Sequence, residues 1–198
     1  MPMSFSLSSR ALQDEFDTRR LADRLGDVKV HDRFTADDRQ FIERLDMFFL
    51  ATVDDARQPT CSYKGGDPGF VTVVDDRTLV FPNYDGNGMY LSMGNVAETC
   101  GVGMLFVDFA LQRRLRVDGT ATIERADPLL TRYPEAQFLV RVEAKSIYPN
   151  CPRYIHKQQL VERSASVPRD GQATPVPGWK RTEWACDVLP ANDPARAK

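Results

Sequence analysis

From Met47 onward, short apolar runs broken by turn residues replace the helical periodicity of the first 46 positions. In that opening stretch, Ala11–Leu25 sets Leu12, Phe16, Leu21 and Leu25 on one helical stripe, and Gly26 supplies a stop. Thr35 opens a second helix, with Asp38 three residues on in a capping-box arrangement and Phe41, Ile42 and Leu45 as its apolar face. The run MFFLATVD (47–54) is a strand too apolar for an exposed face; residues 54–58 turn the chain and Pro59–Lys64 returns. Gly65, Gly66, Pro68 and Gly69 loosen the backbone before a strand at Phe70–Val74, which a turn at 75–77 joins to Thr78–Pro82.

The loop at 85–88 leads into a short helix around Met89–Thr99. Gly101–Asp108 is dense in apolar residues and reads as a central strand. Arg113–Arg125 alternates, with Leu115 and Val117 on one face and Arg114 and Arg116 on the other. Phe138–Ile147 is a last strand, and a helix from about Cys151 to Glu162 follows, capped by Asn150 with Pro152 in its first turn. Residues 163–180 are rich in Pro, Ser and Gly and form a loop; Trp179–Leu189 forms either a final strand or an extended closing arm.

Strands that follow one another through hairpins, with no alternating helices, exclude a βαβ fold and point to a mainly β, six-stranded antiparallel barrel with flanking helices. The expected organisation is one domain over 1–198: N-terminal helices at 1–46, a barrel core at 47–150, and a closing helix and C-terminal arm at 151–198.

Composition narrows the function. A net charge of −2 gives no support for a nucleic-acid or anionic-membrane partner. No window approaches the roughly 18 apolar residues of a membrane span. Acidic residues Asp14, Glu15 and Asp17 interrupt the start before any signal-like apolar run, so a cytoplasmic location is expected. Four scattered cysteines without a CxxC, and two histidines far from any cysteine pair, predict neither a disulfide framework nor a metal site.

Nucleophile elbow, P-loop and GxGxxG are all absent, and GGDPGF (65–70) lacks the helix start that would make it a phosphate nest. Three other segments carry chemistry. In CSYKGG, Ser62 and Lys64 stand two apart on one strand face, a hydroxyl beside an ammonium that suits a phosphate. FPNYDGNGMYLSMGN (81–95) runs from a strand end through an amide-rich loop into a helix, where backbone N–H groups and Asn87 could meet an anion. RRLRVDG (113–119) puts Arg114 and Arg116 opposite the core pair, a face that a ligand or a second subunit would cover.

The order of these three segments, over about residues 40–160, resembles the pyridoxamine-5′-phosphate-oxidase-related, FMN-binding split-barrel superfamily. The resemblance implies a split barrel that holds FMN at a homodimer interface. It assigns phosphate-binding side chains to Ser62 and Lys64. Phe81, Pro82, Asn87, Gly88 and Met89 correspond to the segment around the ribityl phosphate and flavin edge. Arg114, in the RQVR-like strand, takes the position near the isoalloxazine, where a cation stabilises the reduced anion.

Two departures alter that picture. Gly88 and Met89 stand where the family usually carries Arg or Arg-Lys, so phosphate affinity rests on Lys64, Asn87, backbone donors, or an arginine from elsewhere such as Arg153. The C-terminal arginine and histidine that bind substrate in true pyridoxamine-phosphate oxidases are also missing from the closing GWKRTEW, which disfavours vitamin B6 oxidation. The expected function is an FMN-dependent oxidoreductase acting on a small molecule. A deazaflavin (F420) reductase, a flavin- or haem-binding module without turnover, and a barrel with an empty site are the alternatives.

Overall fold

A computed structural model describes residues 3–196. The chain forms two compact units, one ending at Val161 and one beginning at Glu162. Among the described residues no helix is long and apolar enough to cross a membrane.

The first unit opens with α1 (Leu7–Glu15), α2 (Arg19–Lys29) and α3 (Ala36–Glu43). The single helix expected over Ala11–Leu25 is broken in two, because Asp17 adopts the left-handed backbone at φ 50°. Gly26 is no stop: it lies buried inside α2, where a Cβ would stand 3.5 Å from that of Met3. The capping box of α3 forms as expected. Asp38 N–H donates to Thr35 Oγ1 at 3.1 Å, and Thr35 N–H donates back to Asp38 Oδ2 at 2.9 Å.

Seven strands follow rather than six: β1 (Met47–Val53), β2 (Pro59–Gly65), β3 (Thr72–Val73), β4 (Thr78–Asn83), β5 (Gly101–Asp108), β6 (Arg113–Glu124) and β7 (Phe138–Pro149). The two-residue β3 pairs only with β4 and is all that forms of the strand expected at Phe70–Val74. Helix α4 (Leu91–Thr99) lies between β4 and β5. All pairings are antiparallel, in the order β2-β1-β5-β6-β7-β4-β3, so β2 and β3 are free edges.

The sheet nonetheless curls onto itself. The Phe48 ring on β1 meets Phe81 on β4 edge-to-face at 5.0 Å, although three strands separate them in the sheet. Phe48 also packs on Phe106 and Phe70, at 5.2 and 5.9 Å. Both edges thus enclose one aromatic and aliphatic core, and the result is a split antiparallel barrel. A bulge between Asp118 and Gly119 sharpens the bend; only glycine fits there, because a Cβ would lie 2.2 Å from the Glu143 carbonyl oxygen.

The helix expected over Cys151–Glu162 does not form. Tyr154 sits at φ 70°, and Tyr154, Leu160 and Val161 are exposed, so no apolar face is buried to offset the entropy of ordering a lone helix. Among its described residues the second unit contains neither a final strand nor an extended arm. A 3-10 turn at Gly178–Arg181 runs into further turns, stacks Trp179 on Trp184 at 5.8 Å, and buries a Lys180–Asp193 ion pair of 2.8 Å.

Candidate functional site

Edge strand β2 carries its pattern inside out. Opposed residues of an antiparallel pair share a face, and Ser62 and Lys64 stand opposite the core residues Leu50 and Phe48. Polar Thr60, Ser62 and Lys64 therefore point inward, while Cys61 and Tyr63 point out and are exposed. What receives the inward polar row is α4. Ser62 Oγ lies 3.1 Å from Ser92 Oγ in the first turn of that helix. Beneath it, Asn95 Nδ2 donates to Thr52 Oγ1 at 3.1 Å, and Thr52 and Thr60 share a 2.8 Å hydrogen bond.

A cavity of about 320 Å³ opens beside this contact, and Ser62, Lys64, Tyr84, Asn87, Gly88 and Met89 are among its lining residues. Three features suit it to an anion. Tyr90, the residue before α4, has a left-handed backbone and gives no side-chain cap, so the N–H groups of the helix's first turn lack a capping acceptor. Burial holds the Lys64 ammonium below its usual pKa, with no carboxylate acting to raise it. Tyr84 is pushed up to about 12 by burial and then by Tyr133, Asp67 and Glu135, so its hydroxyl keeps its proton at neutral pH and can donate. The loop is shaped locally: Met89 N–H donates to Asn87 Oδ1 at 3.0 Å, and Gly88 turns at φ 76° in open space. These donors fit a phosphate, and the exposed Met89, Tyr90 and Leu91 at the rim fit a flat apolar group.

Five of the nine residues expected at the site converge here: Ser62, Lys64, Asn87, Gly88 and Met89. Phe81 points into the core against Phe48, and Pro82 is buried in β4 opposite Leu139. Arg114 stands opposite Val107 on the outward face of β6, and with Arg153 it lines a different cleft. Within one chain, Lys64 and Arg114 thus face opposite sides of the sheet. Ser92 and Tyr84 were missed; Ser92 was readable as a first-turn hydroxyl in YLSMGN, whereas the raised Tyr84 depends on burial.

The sequence model of the pyridoxamine 5′-phosphate oxidase family matches residues 34–172, more than half of the chain. The chain belongs to that family. No curated protein sequence matches it. Solved structures similar to this family member include an FMN-binding protein from Syntrophomonas wolfei subsp. wolfei, at 14% identity over 73% of this chain and 95% of that one, with a TM-score of 0.47. HupZ of Group A Streptococcus is 18% identical over 64% of this chain and 99% of its own, with a TM-score of 0.48. HutZ, the haem storage protein of Vibrio cholerae, is 16% identical over 59% and 94%, with a TM-score of 0.43.

Proposed function

We propose that this member of the pyridoxamine 5′-phosphate oxidase family is an FMN-binding oxidoreductase that works as a homodimer. One observation carries the cofactor reading. A half-buried lysine without a carboxylate partner, two hydroxyls and an uncapped helix start converge on one cavity beside an apolar rim. Lys64 and the first-turn N–H groups of α4 would hold the phosphate, with Ser62 and Asn87 completing the ring of donors. Bound FMN supplies the electron transfer; the chain binds and orients it.

The dimer reading rests on the outward face of the sheet. Tyr63, Phe49, Leu105, Arg116 and Tyr148 stand in one row across five strands, and Cys61, Ala51, Gly103, Asp118 and Ser146 in the next. All ten are at least partly exposed. A bulky row, apolar but for Arg116, beside a row of smaller residues can complement a second copy of itself about a twofold axis. The cavity continues outward onto exposed Met89, Tyr90 and Leu91, so a second copy would close over the flavin ring.

The deciding experiment is the absorption spectrum of the purified protein, with mass identification of whatever is released on denaturation, followed by titration with FMN, F420 and haemin. A flavin spectrum and FMN saturation at micromolar concentration are expected. Binding of F420 or haemin instead, or of none of the three, overturns the reading. Reduction of the bound flavin by NAD(P)H and its reoxidation by a quinone separate an enzyme from a store.

A further inference from the structure

The α1–α2 hairpin lies outside the part of the chain that the family model matches, which begins at residue 34. It holds its own shape. Arg10 pairs with Asp23 at 2.6 Å and Arg19 with Asp14 at 2.5 Å, tying α1 to α2, and Ser6 Oγ accepts from Ser9 N–H at 3.1 Å to cap α1. Its apolar side chains do not hold it to the barrel. No residue of α1 is buried, and in α2 only Gly26 is. Leu12 and Phe16 stand one turn apart at the end of α1, and Leu21, Leu25 and Val28 form an i, i+4, i+7 stripe on α2. All five are between 48% and 69% exposed, a concentration of apolar surface that marks an interaction face. Five basic and five acidic side chains balance over residues 3–29, which suits neither an anionic membrane nor a nucleic acid.

The place of the hairpin in the fold points to what covers it. Met3, Phe5, Leu25 and Gly26 line a groove of about 540 Å³ whose other wall includes Tyr148 and Pro149. Tyr148 is the β7 end of the outward row that starts with Tyr63 on β2. A second exposed apolar patch, Met89, Tyr90 and Leu91, lies at the β2 end, on the rim of the cavity lined by Cys61 and Ser62. Within one chain the two patches stay apart. Tyr90 Oη donates to Gln137 Oε1 at 3.0 Å just before β7 begins, whereas the hairpin meets β7 at its far end. The 12 residues of β7 lie between, on the order of 30 Å of strand. A twofold axis running along β5 in the plane of contact turns two outward faces toward each other and exchanges the β2 and β7 ends of the row. Each hairpin then meets the rim of the other copy.

We infer that the α1–α2 hairpin of one copy docks on the Met89–Leu91 rim of a second copy and forms the outer wall of its flavin cavity. The inference rests on the homodimeric flavin reading above, and adds to it a wall built from a segment outside the family-matched region. Both exposed apolar patches are covered by the same contact, and the flavin ring is shielded from water by a helix face that its own chain does not supply.

The test is Leu21→Gln/Leu25→Gln/Val28→Gln, which strips the stripe at exposed positions with a good helix former. Sedimentation velocity gives the dimer dissociation constant. Fluorescence titration, at a protein concentration where wild type and variant are both dimeric, gives the FMN and riboflavin affinities. The variant should dissociate about tenfold or more readily, and both flavins should bind it about three- to tenfold weaker. The shared loss is the signature of a wall over the ring, since riboflavin has no phosphate. An unchanged dissociation constant overturns the inference. So does a weaker dimer that still binds both flavins as wild type does, or a loss confined to FMN. A wild type that is monomeric, or that binds no flavin, overturns the homodimeric flavin reading along with it; a dimeric wild-type flavoprotein beside an unaffected variant overturns the hairpin contact alone. Should the triple variant misfold, Leu12→Gln/Phe16→Gln decides by the same readings.

Discussion

The hydroxyls of Ser62 and Ser92 lie 3.1 Å apart, joining the inward face of edge strand β2 to the first turn of α4. That contact brings a lysine, an uncapped helix start and a glycine-containing loop around one cavity, from segments about 30 residues apart in sequence. Each element alone is ordinary. Their convergence supports a phosphate site.

Lys64→Met tests that convergence. The substitution keeps the stem's packing and removes a charge-assisted contact worth roughly 1.5–3 kcal/mol, so FMN affinity should fall about ten- to a hundredfold. Riboflavin, which has no phosphate, should bind variant and wild type alike. Because burial already disfavours the unpaired ammonium, the apo variant should melt no lower than wild type. Fluorescence titration with both ligands and a melting curve check all three outcomes; equal losses for FMN and riboflavin would remove Lys64 from the phosphate site.

Leu105→Glu tests the interface. Leu105 is half-exposed at the middle of the outward row, between Phe49 and Arg116, so an isolated chain tolerates a charge there. A stable dimer through this face should bury more than about 2,000 Å² with an apolar centre, and a buried, unpaired carboxylate would break it. Light scattering should give twice the 22.4 kDa chain mass for wild type and the single chain mass for the variant. A monomeric wild type that still holds flavin contradicts the dimer.

How much of this was legible in the sequence varies with how local the cause is. The Thr35–Asp38 capping box and the apolar run Gly101–Asp108 are set by neighbouring residues, and both appear where expected. The alternation of Leu115 and Val117 with Arg114 and Arg116 also reads directly as inward and outward positions. Which face of β2 turns inward was not legible, because its Cys61 and Tyr63 point outward and its polar residues inward, an inversion visible only through its pairing with β1. Motif order places Lys64 and Arg114 at one flavin, and strand register puts them on opposite faces of one chain, so a flavin held by both would have to lie between two copies. The absent helix after Asn150 shows that caps and propensity are insufficient when no apolar face is buried.

Phe48→Ala tests barrel closure. Phe48 is fully buried and touches the rings of Phe70, Phe81 and Phe106, so truncation leaves a void where β1 and β4 close over the core. The expected cost is about 3–5 kcal/mol. Urea unfolding should show a lower midpoint with an unchanged slope. A loss below about 1 kcal/mol would mean that the rings do not hold the barrel shut.

Asp127→Asn tests a pH-dependent tie between β7 and the turn that precedes it. The Asp127 side chain is 1% exposed, and Arg141 Nε donates to its Oδ2 at 2.6 Å while Leu129 N–H donates to Oδ1 at 2.8 Å. The Arg141 hydrogen bond, reinforced by Leu129, holds this carboxyl below its usual pKa although burial opposes the shift. A depressed folded-state value means the unfolded chain takes up the proton first as pH falls. The stabilisation is therefore complete above the ordinary aspartate range and is lost as pH drops through the folded-state value. At pH 7 the variant, which loses a charge-assisted bond worth roughly 1.5–3 kcal/mol, should melt about 3–12 °C lower than wild type. Below about pH 4 the gap should narrow progressively, because wild type then begins to lose the same interaction by protonation. Melting temperatures of both proteins between pH 3 and 8 check this; a gap that stays constant across that range would mean the pair contributes nothing through its charge.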